Sequence, residues 1–174
     1  MIFTSADILA SFHDAGISTS HPMPQDRAIF FIVFFQIFRL GYSATDSLPW
    51  HLYLERIVAV KVKKDEIVSF TMPKGALKYE RYYLPYDWYE PLSYFTKIVA
   101  CVHPDVIETI GRKDYCDGKL IAVIPKQIKK WYNFGKETVP KGSFFAMGTN
   151  IASLDSRYFG FVSYKQVKAV DYPL

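Results

Sequence analysis

Residues 139–160, VPKGSFFAMGTNIASLDSRYFG, decide how the rest of the chain is read. Val139-Pro140-Lys141-Gly142 is a turn that feeds an apolar strand, Ser143 to Met147. A polar loop follows, carrying Asn150, Ser153, Asp155, Ser156 and Arg157, and it closes on Tyr158-Phe159-Gly160. Taken alone, the segment reads equally well as an ordinary β-hairpin with a structural Asp–Arg pair, because Gly, Asn, Asp and Ser are turn formers in their own right.

Working outward, the same strand grammar recurs. Val58, Val60 and Val62 alternate, and Glu66 to Met72, Tyr94 to Val102, Leu120 to Ile124 and Phe159 to Val170 add β-rich runs. Asp117-Gly118 is a hairpin turn. Lys74 to Pro91, rich in Tyr and Pro, reads as a helical or irregular insert, and no repeat or low-complexity tract interrupts the pattern. The expected class is mainly β.

The chain has 174 residues, enough for one domain with a real core. Hydrophobic residues make up 50% and aromatics 17%, high for a small soluble domain and in keeping with a surface that meets a membrane. The net charge of +4 is mild, and the lysines at 61, 63, 64, 126, 129, 130, 136 and 141 are scattered. They read as solvation, with attraction to anionic headgroups as a second role. No arginine-rich helix or nucleic-acid motif is present, so nucleic acid is not an expected partner.

Four segments, taken together, resemble the boxes of type I signal peptidases in order and in register over residues 28 to 170. Ser153-x-Asp155-Ser156-Arg157-Tyr158-x-Gly160 is similar to the family's last box, whose loop buttresses a Ser/Lys dyad. Thr45-Asp46-Ser47-Leu48-Pro49 resembles the box of the nucleophile, Val62 to Phe70 the strand-turn-strand box, and Tyr94-Phe95-Thr96-Lys97-Ile98-Val99-Ala100 the apolar strand interrupted by one lysine. The resemblance implies Ser47 as nucleophile and Lys97 as its base. Three details depart from the family pattern: Asp65-Glu66 where Gly-Asp is usual, Gly148-Thr149-Asn150 where Gly-Asp-Asn is usual, and His103-Pro104-Asp105 where Pro-Gly-Asp is usual.

The chemistry explains these residue types. A serine hydroxyl becomes a good nucleophile only when an adjacent base takes its proton. Lysine is that base only when neutral, and its reference pKa of about 10.4 leaves roughly 1 in 2,500 neutral at pH 7. Desolvation lowers that pKa by several units. In an alternating strand Lys97 and Val99 share one face while Ile98 points to the other, and the sequence leaves open which face is buried. A developing oxyanion needs preorganised donors, for which the Ser47 N–H and the Thr45 hydroxyl are candidates. The resemblance further implies that Ser153 orients the lysine, that Asp155 and Arg157 form a supporting ion pair, and that no metal or cofactor is needed. The substrate is expected to bind as an added strand between Gly41, Tyr42, Ser43, Ala44 and Thr45 on one side and Tyr94, Phe95 and Thr96 on the other.

Cys101-x-His103-Pro104-Asp105 and Gly111-x-x-Asp114-Tyr115-Cys116-Asp117-Gly118 look like the cysteine-bracketed insert of conjugative-transfer signal peptidases, which mature pilins. That likeness implies a Cys101–Cys116 disulfide and an oxidising compartment; two buried free thiols are the alternative, and His103 reads as a turn residue.

Residues 28–38, AIFFIVFFQIF, are apolar apart from Gln36, and Arg27 and Arg39 flank them. A span needs about 20 apolar residues, about 17 at the least, so 28–44 is a marginal anchor and a buried core helix is its alternative. The expected organisation is a cytoplasmic segment over 1–27, with an amphipathic stretch from Ser5 to Ala15, an anchor helix over 28–44, and a periplasmic peptidase domain over 45–174. That domain is expected to be a coiled antiparallel β-sheet at the bacterial inner membrane. The expected activity is a membrane-tethered serine endopeptidase acting on a precursor protein with a signal peptide, a prepilin above all, with membrane lipid as its other partner. Ring closure of pilin by an amine in place of water, a catalytically silent assembly protein of a secretion machine, and a self-cleaving repressor-type protein are the other readings. The last lacks room for a DNA-binding helix-turn-helix in 27 residues.

Overall fold

The β-branched and aromatic runs named above do form strands, and their pairing brings distant segments side by side. The computed structural model of the chain describes residues 34–57, 61–71 and 94–174. In chain order the elements are β1 (Phe38–Tyr42), β2 (Leu52–Arg56), β3 (Ile67–Thr71), β4 (Tyr94–Val102), β5 (Val106–Ile110), β6 (Lys113–Cys116), β7 (Lys119–Val123), β8 (Lys136–Thr138), β9 (Ser143–Met147), the single-turn helix α1 (Ser156–Phe159), β10 (Val162–Ser163), a 3-10 turn (Tyr164–Gln166) and β11 (Val167–Pro173). The larger sheet has the order β1-β2-β11-β3-β4-β9-β10, and the smaller one β7-β6-β5-β8. The registered pairs are antiparallel in both. The fold is mainly β, and all strand residues after Phe38 belong to the compact unit Arg39–Leu174.

Burial in β4 answers the question that alternation leaves open. Phe95, Lys97 and Val99 lie on the buried face, while Tyr94, Thr96 and Ile98 are more open. Val68, Phe70, Phe95, Val99, Phe144 and Val170 build the main core. A second cluster, with Ile107, Phe134, Val139 and Phe145, fills the space between the sheets around Cys101 and Cys116. Those two cysteines are disulfide-bonded, which joins β4 to β6. The Asp117-Gly118 turn connects β6 to β7 with both residues at positive φ, 49° and 78°, the geometry of a two-residue hairpin of the primed type.

The structure departs from expectation in several places. A helix over 28–44 does not form beyond residue 37: residues 34–37 are helical, and Phe38–Tyr42 is strand β1. Arg39 pairs with Glu55 across the neighbouring strand, and Gly41 leaves room for the Glu55 side chain, which any Cβ there would strike. Both features favour β1 lying on β2 over helix continuation. Residues 28–33 lie outside the described residues, and among those described no helix is long and apolar enough to cross a membrane. The run from Phe159 to Val170 is not one strand but is broken at the 3-10 turn, where Ser163 and Gln166 form a capping box. Residues 58–60 of the expected Val58–Val62 strand, the Lys74–Pro91 insert and the Ser5–Ala15 stretch also lie outside the described residues.

Candidate active site

The loop after β1 presents Ser47. Leu48, 3% exposed, packs into a small apolar cluster with Tyr53 and Ile67, backed by Ile98. That plug fixes the turn immediately beyond the serine. The Ser47 carbonyl then accepts from the Thr149 N–H at 2.9 Å, the Asn150 N–H at 3.3 Å and the Thr149 hydroxyl at 3.4 Å. The Gly148-Thr149-Asn150 turn therefore clamps this loop, and Thr149, at one of the departures from the family pattern, supplies a contact of its own. Gly148 is required by close approach, since a Cβ there would collide with the Ser153 side chain and the Ser47 carbonyl. The Thr45 hydroxyl donates to Ser47 Oγ at 3.2 Å.

Lys97 sits on the buried face of β4 at 2% exposure. Its Nζ lies 5.3 Å from the centroid of the Phe95 ring, and among the described residues it has no hydrogen-bond or ion-pair partner. Burial pushes its pKa down to about 8, with the Asp155 charge opposing and the Arg157 charge assisting. The ammonium is thus held where a neutral amine is far easier to reach than in water.

Behind these residues the 150–157 loop is built around one guanidinium. Asp155, fully buried, caps α1 and takes Arg157 Nε at 2.8 Å and Nη2 at 2.7 Å, a bidentate pair. It also accepts the Gly148 N–H at 3.0 Å. Arg157 donates in addition to the carbonyls of Asn150, Ile151, Ser153 and Val123. Burial works against its charge, but the hydrogen bonds and charge of Asp155 outweigh this and raise its pKa. Ser153 Oγ is buried and has no hydrogen-bond partner among the described residues. The expected bond from it to Lys97 is not formed here, because the side chain is tucked against Gly148.

A cavity of about 350 Å³ gathers the predicted residues: Thr45, Ser47, Lys97 and Ser153 line it, together with Tyr42, Ser43, Ala44, Tyr94, Phe95 and Thr96. Gly41, Asp155 and Arg157 are not on its wall. Cys101 and Cys116 lie at the junction of the two sheets. Asp105 is close to both sulfurs in a metal-like cluster, but the sulfurs are bonded to each other. His103 Nδ1 contacts the Val139 carbonyl at 2.9 Å, a structural role. The sequence reading did not find Glu55 and Ser69, which also line the cavity. They arrive there because β11 inserts between β2 and β3, a pairing with no local signal.

The model of the family "signal peptidase, peptidase S26" matches residues 27–171, most of the chain. The chain belongs to the signal peptidase family. It is accordingly a serine peptidase of the signal peptidase type, whose class acts on precursors carrying signal peptides. Among solved structures, signal peptidase I from Enterococcus faecalis V583 matches this family member at 20% identity and a TM-score of 0.39, covering 64% of this chain and 97% of that one. No curated protein matches the chain.

Proposed function

We propose that Ser47 and Lys97 form the catalytic dyad of a membrane-tethered endopeptidase that removes leader peptides from exported precursors, in particular a pilin of a conjugation system. The observation that carries the dyad is that both side chains line one cavity, with the lysine buried against an aromatic ring and its pKa held near 8. Ser47 Oγ attacks the carbonyl carbon of the scissile bond while Lys97 takes its proton. Lys97 then returns that proton to the leaving amine, which departs with its half of the chain. Water, losing a proton to the same lysine, attacks the acyl carbon; the ester bond to Ser47 Oγ breaks, Lys97 returns the proton to that oxygen, and the acid product leaves. In the free enzyme the two groups need not touch, since catalytic hydrogen bonds often tighten only when substrate binds. In this reading the Ser47 N–H serves the oxyanion, the Thr45 hydroxyl, which bonds Ser47 Oγ in the free enzyme, turns to join it once that oxygen has attacked, and Asp155 with Arg157 acts by holding the loop.

The pilin reading is favoured by the Cys101–Cys116 bond, which matches the insert of the conjugative branch and fits a periplasmic setting. The test is incubation of the full chain, in detergent, with a candidate precursor pilin, beside Ser47→Ala, with product ends read by mass spectrometry. Cleavage after a small residue by the native chain, reduced at least 10³-fold in the variant, is the expected result. Equal cleavage by both proteins would remove Ser47 from the mechanism. An intact precursor would sink the pilin assignment.

A further inference from the structure

Thr96 and Lys97 are neighbours on β4 and point to opposite faces of the strand. Thr96 pairs with Ser69 across the β3–β4 ladder, and both line the cavity. Their hydroxyl oxygens are 2.9 Å apart. Ser69 Oγ in turn donates to Asp171 Oδ2 at 2.6 Å, inside β11. A serine hydroxyl carries a single proton. With that proton committed to the carboxylate, Ser69 Oγ accepts from Thr96, and Thr96 Oγ1 faces the cavity as an acceptor only. The hydrogen bonds thus run in one direction, from the cavity wall to a buried carboxylate. Asp171 is 4% exposed, and its other oxygen has no partner among the described residues.

We propose that Thr96 and Ser69, backed by Asp171, form a specificity subsite for a hydrogen-bond-donating side chain of the substrate, such as Ser, Thr, Asn or Lys. The proposal rests on the peptidase reading above. A substrate strand laid beside residues 43–45 and 94–96 turns alternate side chains into the cavity. The first of these belongs to the residue whose carbonyl Ser47 attacks, and it sits against the reaction centre. The second, two residues earlier, is the one the polar wall meets. A site built to bond a donor discriminates against an isostere that lacks it, because its own polar atoms are then left unpaired.

The charges around this wall point the same way. Glu55 stands opposite Asp171 in the β2–β11 ladder and is paired with Arg39 of β1, so two carboxyl groups face one guanidinium. Tyr53, also on β2, donates a hydrogen bond to the Trp50 carbonyl at 2.7 Å, and Arg56, the other titratable group of that strand, lies over the Tyr172 ring. Burial, with the Glu55 charge assisting, raises Asp171 to about 7 against the opposing Ser69 bond and Arg39 charge. Below that pH Asp171 gains a proton, the chain of bonds can reverse, and the preference for donors weakens.

The test uses the full chain in detergent with paired peptides that differ only at that position, Thr against its isostere Val, competed in one tube and read by mass spectrometry. The native enzyme is expected to favour Thr about tenfold in kcat/KM at pH 8, the scale of one net hydrogen bond. Thr96→Val is expected to bring the ratio to about one, and Ser69→Ala, a second route should the first variant not fold, to reduce it as well. Equal cleavage of the pair by the native enzyme would overturn the subsite while leaving the peptidase intact. A Thr preference undiminished in both variants would do the same. Failure of Ser47-dependent cleavage on every peptide would remove the peptidase reading, and this one with it.

Discussion

Lys97 shows how one residue sets stability and chemistry against each other. Its folded pKa of about 8 lies below the ordinary 10.5 because burial disfavours the ammonium form. Below pH 8 folded and unfolded chains both carry the charge, and the folded one bears the full burial cost. Between pH 8 and 10.5 the unfolded chain holds a proton the folded one has released, so stability rises with pH across that window. Replacing Lys97 with Met, of similar length and without charge, is therefore expected to stabilise the protein most at neutral pH. That gain shrinks by about 3 kcal/mol as pH rises through the window, at 1.36 kcal/mol per unit. Urea midpoints of the two proteins at pH 7 and pH 10 check this, and a difference that stays constant would mean the lysine titrates normally. The same value governs catalysis. Cleavage by the native chain is expected to rise about tenfold per pH unit below 8 and to level off above it, a profile measured directly on kcat/KM. A flat profile from pH 6 to 9 would exclude Lys97 as the base.

At the scale of elements, what was legible in the sequence was what is local. Ser143–Met147 and Tyr94–Val102 become β9 and β4 with the expected bounds, because alternation and β-branched residues act within a few positions. The Asp117-Gly118 turn was legible for the same reason. The residues expected to surround the site were found through their likeness to family boxes, and the cavity brings Thr45, Ser47, Lys97 and Ser153 together. What was missed depends on pairing between distant strands. Glu55, Ser69 and Asp171 have unremarkable neighbours in sequence, and only the insertion of β11 between β2 and β3 assembles them. Phe38–Tyr42 was misread for a related reason. Its apolar residues suit a helix or a strand equally, and the deciding partners, Glu55 and β2, lie beyond any local window. β8, exposed along its length, carries no hydrophobic signal at all.

At the scale of the whole molecule, two sheets of unequal size are held in one unit by an apolar junction and a covalent link. The Cys101–Cys116 bond spans 15 residues and lies inside the junction, with the two residues 0% and 1% exposed. Around it, Lys64 pairs with Asp105 at 3.1 Å, and Asp105 accepts the Val102 N–H at 3.2 Å. A loop of this length gains about 3 kcal/mol from its cross-link in the chain-entropy account. The double variant Cys101→Ala, Cys116→Ala is therefore expected to lose about that much, plus a smaller term for the apolar contacts of two buried sulfurs. Measured in urea, the native chain with reductant should move toward the midpoint of the variant, and the variant itself should be insensitive to reductant. Were the reduced native chain to stop short of the variant by no more than that smaller packing term, the main loss would belong to the covalent link itself. A native midpoint unmoved by complete reduction, verified by thiol titration, would instead assign the joining of the sheets to Ile107, Phe134, Val139 and Phe145 alone.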